Sequence, residues 1–138
     1  MTKPFFWSVR VYYEDTDAGG VVYHANYLKF FERARTERFR LIGCAPYELR
    51  LSSDVLFVVK SAQLDYLKPA QFNDSLLVSA EVTEIKRVSM SFSQEIRRSN
   101  PEGDTLCTAT VRIACLSASE LRPVAIPRFL LERINDAN

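Results

Sequence analysis

One helical pattern stands in a chain whose other order is nearly all strand. Placed at 100° per residue from Tyr27, the side chains Tyr27, Leu28, Phe30, Phe31, Ala34, Phe39, Leu41 and Ile42 cover about half the helix circumference. That stripe is wider than a usual surface helix carries, so the helix is expected to be buried. About sixteen residues at 1.5 Å each make a rod of roughly 24 Å. Asn26 is a candidate N-cap and Gly43 a candidate for the first residue past the end. Arg35 and Arg38 fall inside the apolar sector. A buried unpaired charge is costly, so each must extend to water or find a carboxylate.

Everything else with a period reads as strand. Phe5, Trp7, Val9, Val11 and Tyr13 alternate with Phe6, Ser8, Arg10 and Tyr12. Ala45–Asp54 has no clear period and is expected to be irregular. Val55–Leu67 is apolar and β-branched, and Leu76–Lys86 alternates weakly. In Val88–Arg97, Val88, Met90, Phe92 and Ile96 oppose Ser89, Ser91, Ser93 and Glu95. Residues 99–104, reading SNPEGD, form the best turn signal in the chain. Thr105–Ser117 places Cys107, Ala109, Val111, Ile113 and Cys115 on one face. A tail from Leu121 begins a short helix at Pro127, since proline is favoured at the first helical position. Successive strands joined by short turns imply antiparallel pairing. The expectation is an α+β domain over residues 1–138, with an antiparallel sheet of about five strands around one long helix.

Composition removes several classes. A net charge of +1 gives no global signal for nucleic acid, and no run is long and apolar enough for an integral membrane segment. Three cysteines, Cys44, Cys107 and Cys115, lack metal-type spacing. They read as reduced core thiols of a cytoplasmic protein, with a disulfide as the alternative.

Chemistry concentrates just before the helix. Glu14, Asp15 and Asp17 precede Gly19 and Gly20, and His24, the one histidine, follows. A carboxylate can activate water or attack a carbonyl directly. Either role needs a partner for the developing oxyanion. The opening of a helix offers one, because its first N–H groups lack acceptors and carry the positive end of the dipole. The glycines allow close approach of a ligand to backbone. Such a loop could equally be a solvated turn or a cation site, and a histidine there could simply cap or pack. No glutamate stands where an EF-hand loop would need one, and one histidine with scattered cysteines does not make a zinc site. No cofactor is called for.

The run VRVYYEDTDAGGVVYHANYLKFFERARTE, Val9 to Glu37, resembles the opening of the YbgC-type acyl-CoA thioesterases. These form part of the 4-hydroxybenzoyl-CoA thioesterase branch of the hotdog superfamily. VLFVVKSAQLDYLKPAQFNDSL, Val55 to Leu76, is similar as well. The resemblance implies a hotdog fold whose subunits pair as homodimers or homotetramers, and hydrolysis of an acyl-CoA, or of a thioester on acyl carrier protein. It places the catalytic aspartate on Asp17 and the carbonyl-polarising N–H on His24. Tyr23, Asn26 and Tyr27 complete the signature as supporting or substrate-binding residues. Lys60, with Lys68, Lys86 and Arg87, is a candidate for the CoA phosphates, and Phe31 and Phe57 for the acyl tail.

Two alternatives stay open. A hotdog dehydratase would need a Pro-rich segment after the histidine, where this chain has Ala-Asn-Tyr. A non-catalytic subunit would hold an acyl group or dock on acyl carrier protein, within an envelope or lipid-synthesis complex.

Overall fold

The helix forms where its periodicity places it. The computed structural model describes residues 4–99 and 103–137, and in it α1 spans Asn26–Leu41. Phe30, Phe31 and Ala34 are wholly buried. Burying a phenylalanine contributes about 2–3 kcal/mol, so this stripe commits α1 to the interior. Leu28 in the first turn and Leu41 at the last position of the helix stay exposed.

The chain enters through β1 (Phe6–Arg10) and a 3-10 turn over Tyr13–Asp15, then makes α1. A second helix, α2 (Pro46–Ser53), occupies the stretch expected to be irregular. Its signal was Pro46 at the first helical position, with a helix too short to show a period. It stops at Asp54, which is left-handed (φ 54°). Asp54 is held there by its carboxylate, which accepts from the Ser119 N–H and hydroxyl at 3.0 and 2.7 Å.

Then come β2 (Val55–Tyr66), β3 (Ser75–Ser79), β4 (Glu81–Ile85), β5 (Ser89–Arg98) and β6 (Thr105–Ser117). All pairings are antiparallel, in the order β1-β3-β5-β6-β2, with β4 also on β5. The sheet therefore has six strands rather than about five, because the expected strand over 76–86 is bent at Ala80 into β3 and β4. At the bend Gln94 inserts its carboxamide. Its Nε2 donates to the Ser79 carbonyl at 2.9 Å and to the Phe31 carbonyl at 3.1 Å, while the Glu95 N–H donates to Ser79 Oγ at 2.8 Å.

The sheet wraps α1 as in a hotdog fold. Phe39 of α1 stacks on Phe57 of β2 and meets Phe92 of β5 edge-on. Arg35 and Arg38 are both buried. Arg35 Nη1 donates to Gln94 Oε1 at 3.0 Å, so its partner is a carboxamide rather than a carboxylate. The Arg38 guanidinium lies 6.0 Å over the Phe5 ring. Burial pushes both guanidinium groups below their ordinary value, partly opposed by Glu32 and Glu81 respectively.

The far end of α1 is closed by the last helix, α3 (Arg128–Ala137). Arg133 Nη1 donates to the Gly43 carbonyl at 3.0 Å and the Ile42 carbonyl at 3.4 Å. Gly43 (φ 75°) is the expected residue past the helix end, and a Cβ there would stand 3.0 Å from Arg133 Nη1. The three cysteines are free and buried, as expected of core thiols. Desolvation pushes Cys107 up to about 12 and Cys115 up to about 11. No helix among the described residues is long and apolar enough to cross a membrane.

Gln94 joins α1, the β3–β4 bend and the Arg35 charge, so its loss should be felt at all three. Gln94→Ala is expected to cost about 2–4 kcal/mol, from unpaired buried groups and the void left behind. Urea denaturation followed by circular dichroism measures this.

Candidate active site

The loop ahead of α1 is a small hairpin. The Tyr23 N–H donates to the Asp15 carbonyl and the Asp17 N–H to the Val21 carbonyl, both at 2.9 Å, and Thr16 bridges Val22. Gly20 makes the return at φ 80°, a conformation costing an L-residue about 1–2 kcal/mol. The strand-connecting segment 69–74 braces the hairpin from below. Val22 donates to the Ala70 carbonyl at 2.8 Å, and Val21 bridges Gln71. Arg98 secures that segment, pairing with Asp74 and donating to the Pro69 carbonyl at 3.3 Å.

The acids of this loop have different surroundings. Asp15 is buried, and both carboxylate oxygens are used. Oδ2 accepts the Tyr12 N–H at 2.8 Å, and Oδ1 accepts Asn26 Nδ2 at 2.7 Å. Asp17 is exposed. Its Oδ1 accepts the Gly19 N–H at 2.8 Å, and its Oδ2 has no partner among the described residues. Position in the sequence could not separate these two carboxylates. Only the bonds to Tyr12 and Asn26 do so.

Asn26 is not the N-cap. It is the first residue of α1, with Ala25 as cap and no side-chain cap at all. Its amide is spent on Asp15 instead. Tyr27 is likewise buried and internal, its hydroxyl accepting the Ala70 N–H at 3.0 Å. Burial raises the Tyr27 phenol, and the Ala70 bond opposes that. Asn26 and Tyr27, expected as substrate-binding residues, thus brace the loop in this structure.

Tyr23 and His24 are exposed, with ring centroids 4.6 Å apart. The Asn26 N–H closes a turn on the Tyr23 carbonyl at 2.8 Å. Between them, the N–H groups of His24 and Ala25 have no acceptor among the described residues. Asp17 and these two donors therefore belong to one hairpin and the turn it runs into. With no acid in the first turn of α1, the positive end of the helix is left uncompensated by its own side chains.

Lys60 is not brought to this loop within one chain. It sits at a bulge between Val59 and Ser61 on β2, six residues before Tyr66, roughly 20 Å along the strand. Lys68 is paired with Asp104 at 3.3 Å, and Lys86 stands 3.9 Å from Glu84. Phe31 is wholly buried, so it cannot line an acyl site, and Phe57 is occupied by Phe39. Between α1 and β2 runs a groove of about 560 Å³, with an apolar floor that includes Leu28, Val59, Ala62 and Val111 and charged Lys29, Glu32, Arg33 and Arg35 along α1. It begins one helical turn beyond His24. A second cavity, of about 730 Å³, lies at the β3–β4 bend near Arg38 and Glu81, and it touches neither Asp17 nor His24.

Residues 19–116 match the family model of the thioesterase superfamily. The acyl-CoA thioesterase YbgC of Haemophilus influenzae is 46% identical, over 90% of this chain and 89% of its own. The acyl-CoA thioester hydrolase YbgC of Escherichia coli O157:H7 is 42% identical, over 94% and 95% respectively. Among solved structures, a 1,4-dihydroxy-2-naphthoyl-CoA thioesterase from Synechocystis superposes with a TM-score of 0.87 at 23% identity, covering 97% of each chain. A 4-hydroxybenzoyl-CoA thioesterase in complex with 4-hydroxybenzoyl-CoA gives 0.86 at 19% identity, covering 94% of this chain and 97% of that one. At these identities the two structures support the fold.

Asp15 holds the loop to the helix, whereas Asp17 bonds only within its own turn. Asp15→Ala is therefore expected to cost about 3 kcal/mol, from two charge-assisted hydrogen bonds and a stranded buried amide. Asp17→Asn should leave stability unchanged within error. Chemical denaturation of the two variants side by side measures the contrast.

Proposed function

The chain belongs to the thioesterase superfamily, and on that premise we propose that it is an acyl-CoA thioesterase, hydrolysing a short- to medium-chain acyl-CoA to a free acid and CoA. One observation carries the reading. A carboxylate with an unengaged oxygen and two N–H groups without acceptors lie on the same hairpin and helix opening. The relatives' activity supports it, being thioester hydrolysis at 42% and 46% identity.

In this reading the thioester oxygen lies on the opening of α1, where the His24 N–H polarises it. Asp17 activates water or attacks the carbonyl carbon itself. A C–O bond forms, and the carbonyl π pair moves to oxygen, where backbone donors and the helix dipole stabilise it. Collapse re-forms the carbonyl and breaks the C–S bond. On the general-base route the proton taken from water passes to the departing thiolate. On the nucleophilic route C–S cleavage leaves an acyl–Asp17 anhydride, and its hydrolysis by water frees the acid and the Asp17 carboxylate and supplies the proton the thiolate takes up. Either way one water is consumed for each acid and thiol formed. The His24 imidazole stands at the turn's surface, where it can orient Asp17 or serve the leaving sulfur. Tyr23 beside it contacts the substrate.

The acyl chain follows the groove from Leu28 toward Val59 and Ala62. That groove is open on the β2 side. β2 pairs with β6 alone, leaving a twelve-residue edge on which Val58 and Val59 are exposed. An unpaired edge of this length is a template for a second copy. We infer a homodimer joined through β2, which covers the groove and brings Lys60 from one subunit toward the other's substrate.

Two experiments bear on this. Asp17→Asn should lower thioester turnover by at least about 10²-fold, read with a thiol dye on a panel of acyl-CoA chain lengths. Undiminished turnover removes Asp17 from the mechanism. The double variant Val58→Glu, Val59→Glu should be monomeric by light scattering and lose activity with it, since like charges would face each other across the shared edge.

A further inference from the structure

One tyrosine next to the helix opening has no part in the chemistry above. Tyr66 ends β2 and is 49% exposed, yet its hydroxyl is committed, donating to the His24 carbonyl at 2.9 Å. Its ring stands edge-on to Tyr27, 5.3 Å between centroids, and 6.5 Å from the His24 ring. Partial burial raises its phenol above the ordinary value, so the hydroxyl remains a donor throughout the neutral range.

The peptide between His24 and Ala25 is trans, as are all described peptides. Its carbonyl and its N–H are opposite ends of one rigid plane. Holding the oxygen of His24 therefore fixes the direction of the Ala25 N–H. Ala25 is right-handed (φ −71°, ψ −20°) inside a turn closed from Asn26 to Tyr23. In such a turn successive N–H groups emerge side by side toward the N-terminal end, here from His24 and Ala25. A hydrogen bond accepted by a peptide oxygen also polarises the peptide and strengthens its N–H as a donor.

We propose that Tyr66 is a positioning residue for thioester hydrolysis: by holding the His24 carbonyl it aims the Ala25 N–H as a second donor, beside that of His24, to the oxygen that becomes anionic. The proposal rests on the reading that the opening of α1 polarises the thioester carbonyl. A thioester oxygen accepts weakly before attack and strongly once charged. The second donor therefore acts mainly on the transition state.

Tyr66→Phe keeps the ring against Tyr27 and removes only the hydroxyl. It should lower kcat roughly tenfold, less than the 10²–10³ for losing a donor outright, with KM within about twofold. The decisive readout is vibrational. In Asp17→Asn protein, which preserves the bound thioester, the carbonyl stretch of a ¹³C-labelled acyl-CoA is expected to fall below its solution value. Adding Tyr66→Phe should return part of that shift at equal ligand occupancy. A shift that is the same with and without the hydroxyl overturns the role of Tyr66. No shift even with Tyr66 intact overturns the parent reading instead. A third measurement does not depend on the phenylalanine variant folding. Replacing Tyr66 by a fluorinated tyrosine, whose phenol ionises at lower pH, should add an alkaline limb to kcat absent from the wild type. An unchanged pH profile counts against the proposal.

Discussion

The loop ahead of α1 depends on one buried carboxylate. Asp15 takes an N–H from Tyr12, two residues past the first strand, and an amide from Asn26 at the first residue of α1. Three pieces of chain meet at that side chain: the strand, the hairpin and the helix. An ionised group removed from water must have its lone pairs filled, and both partners come from fixed backbone or a fixed helix. The hairpin that carries Asp17 is thereby held against the helix whose opening it faces.

This arrangement divides labour among residues that look alike on paper. Asp15 and Asp17 are two positions apart, and both are acids in a glycine-containing loop. The first is inside and saturated, while the second is outside with one oxygen spare. The tyrosines divide similarly. Tyr27 is buried and braces Ala70, Tyr23 is open beside His24, and Tyr66 reaches over from the sheet to the helix. The loop ahead of α1 is thus supported from β2 and from segment 69–74, which Arg98 and Asp74 tie to the sheet.

Much of the fold was legible because period and packing agree. The half-apolar stripe of α1 and the strict alternation along β5 and β6 each carry their own signal, and the strands they imply formed close to the expected bounds. What escaped was local and non-periodic. Helix α2 has only eight residues and little stripe, so its proline was the sole sign. The division of β3 from β4 depends on Gln94 reaching across from another strand, which no pattern within residues 76–86 records. Arg35 was readable as a charge in an apolar sector, but its amide partner lies fifty-nine positions away. In the loop, residue types marked out a cluster of acids and a histidine that the structure places on one hairpin and the turn after it. Their division into braces and exposed groups could not be read, because it depends in part on hydrogen bonds across eleven and forty-three positions.

Arg133 closes the end of a helix that lies ninety residues earlier in the chain. As the polypeptide is made, the central helix precedes β2 to β6 and the arginine that caps it, and only β1 comes before it. Pairings of such long sequence separation form slowly and late. The contact that closes the central helix is therefore among the last that the growing chain can make.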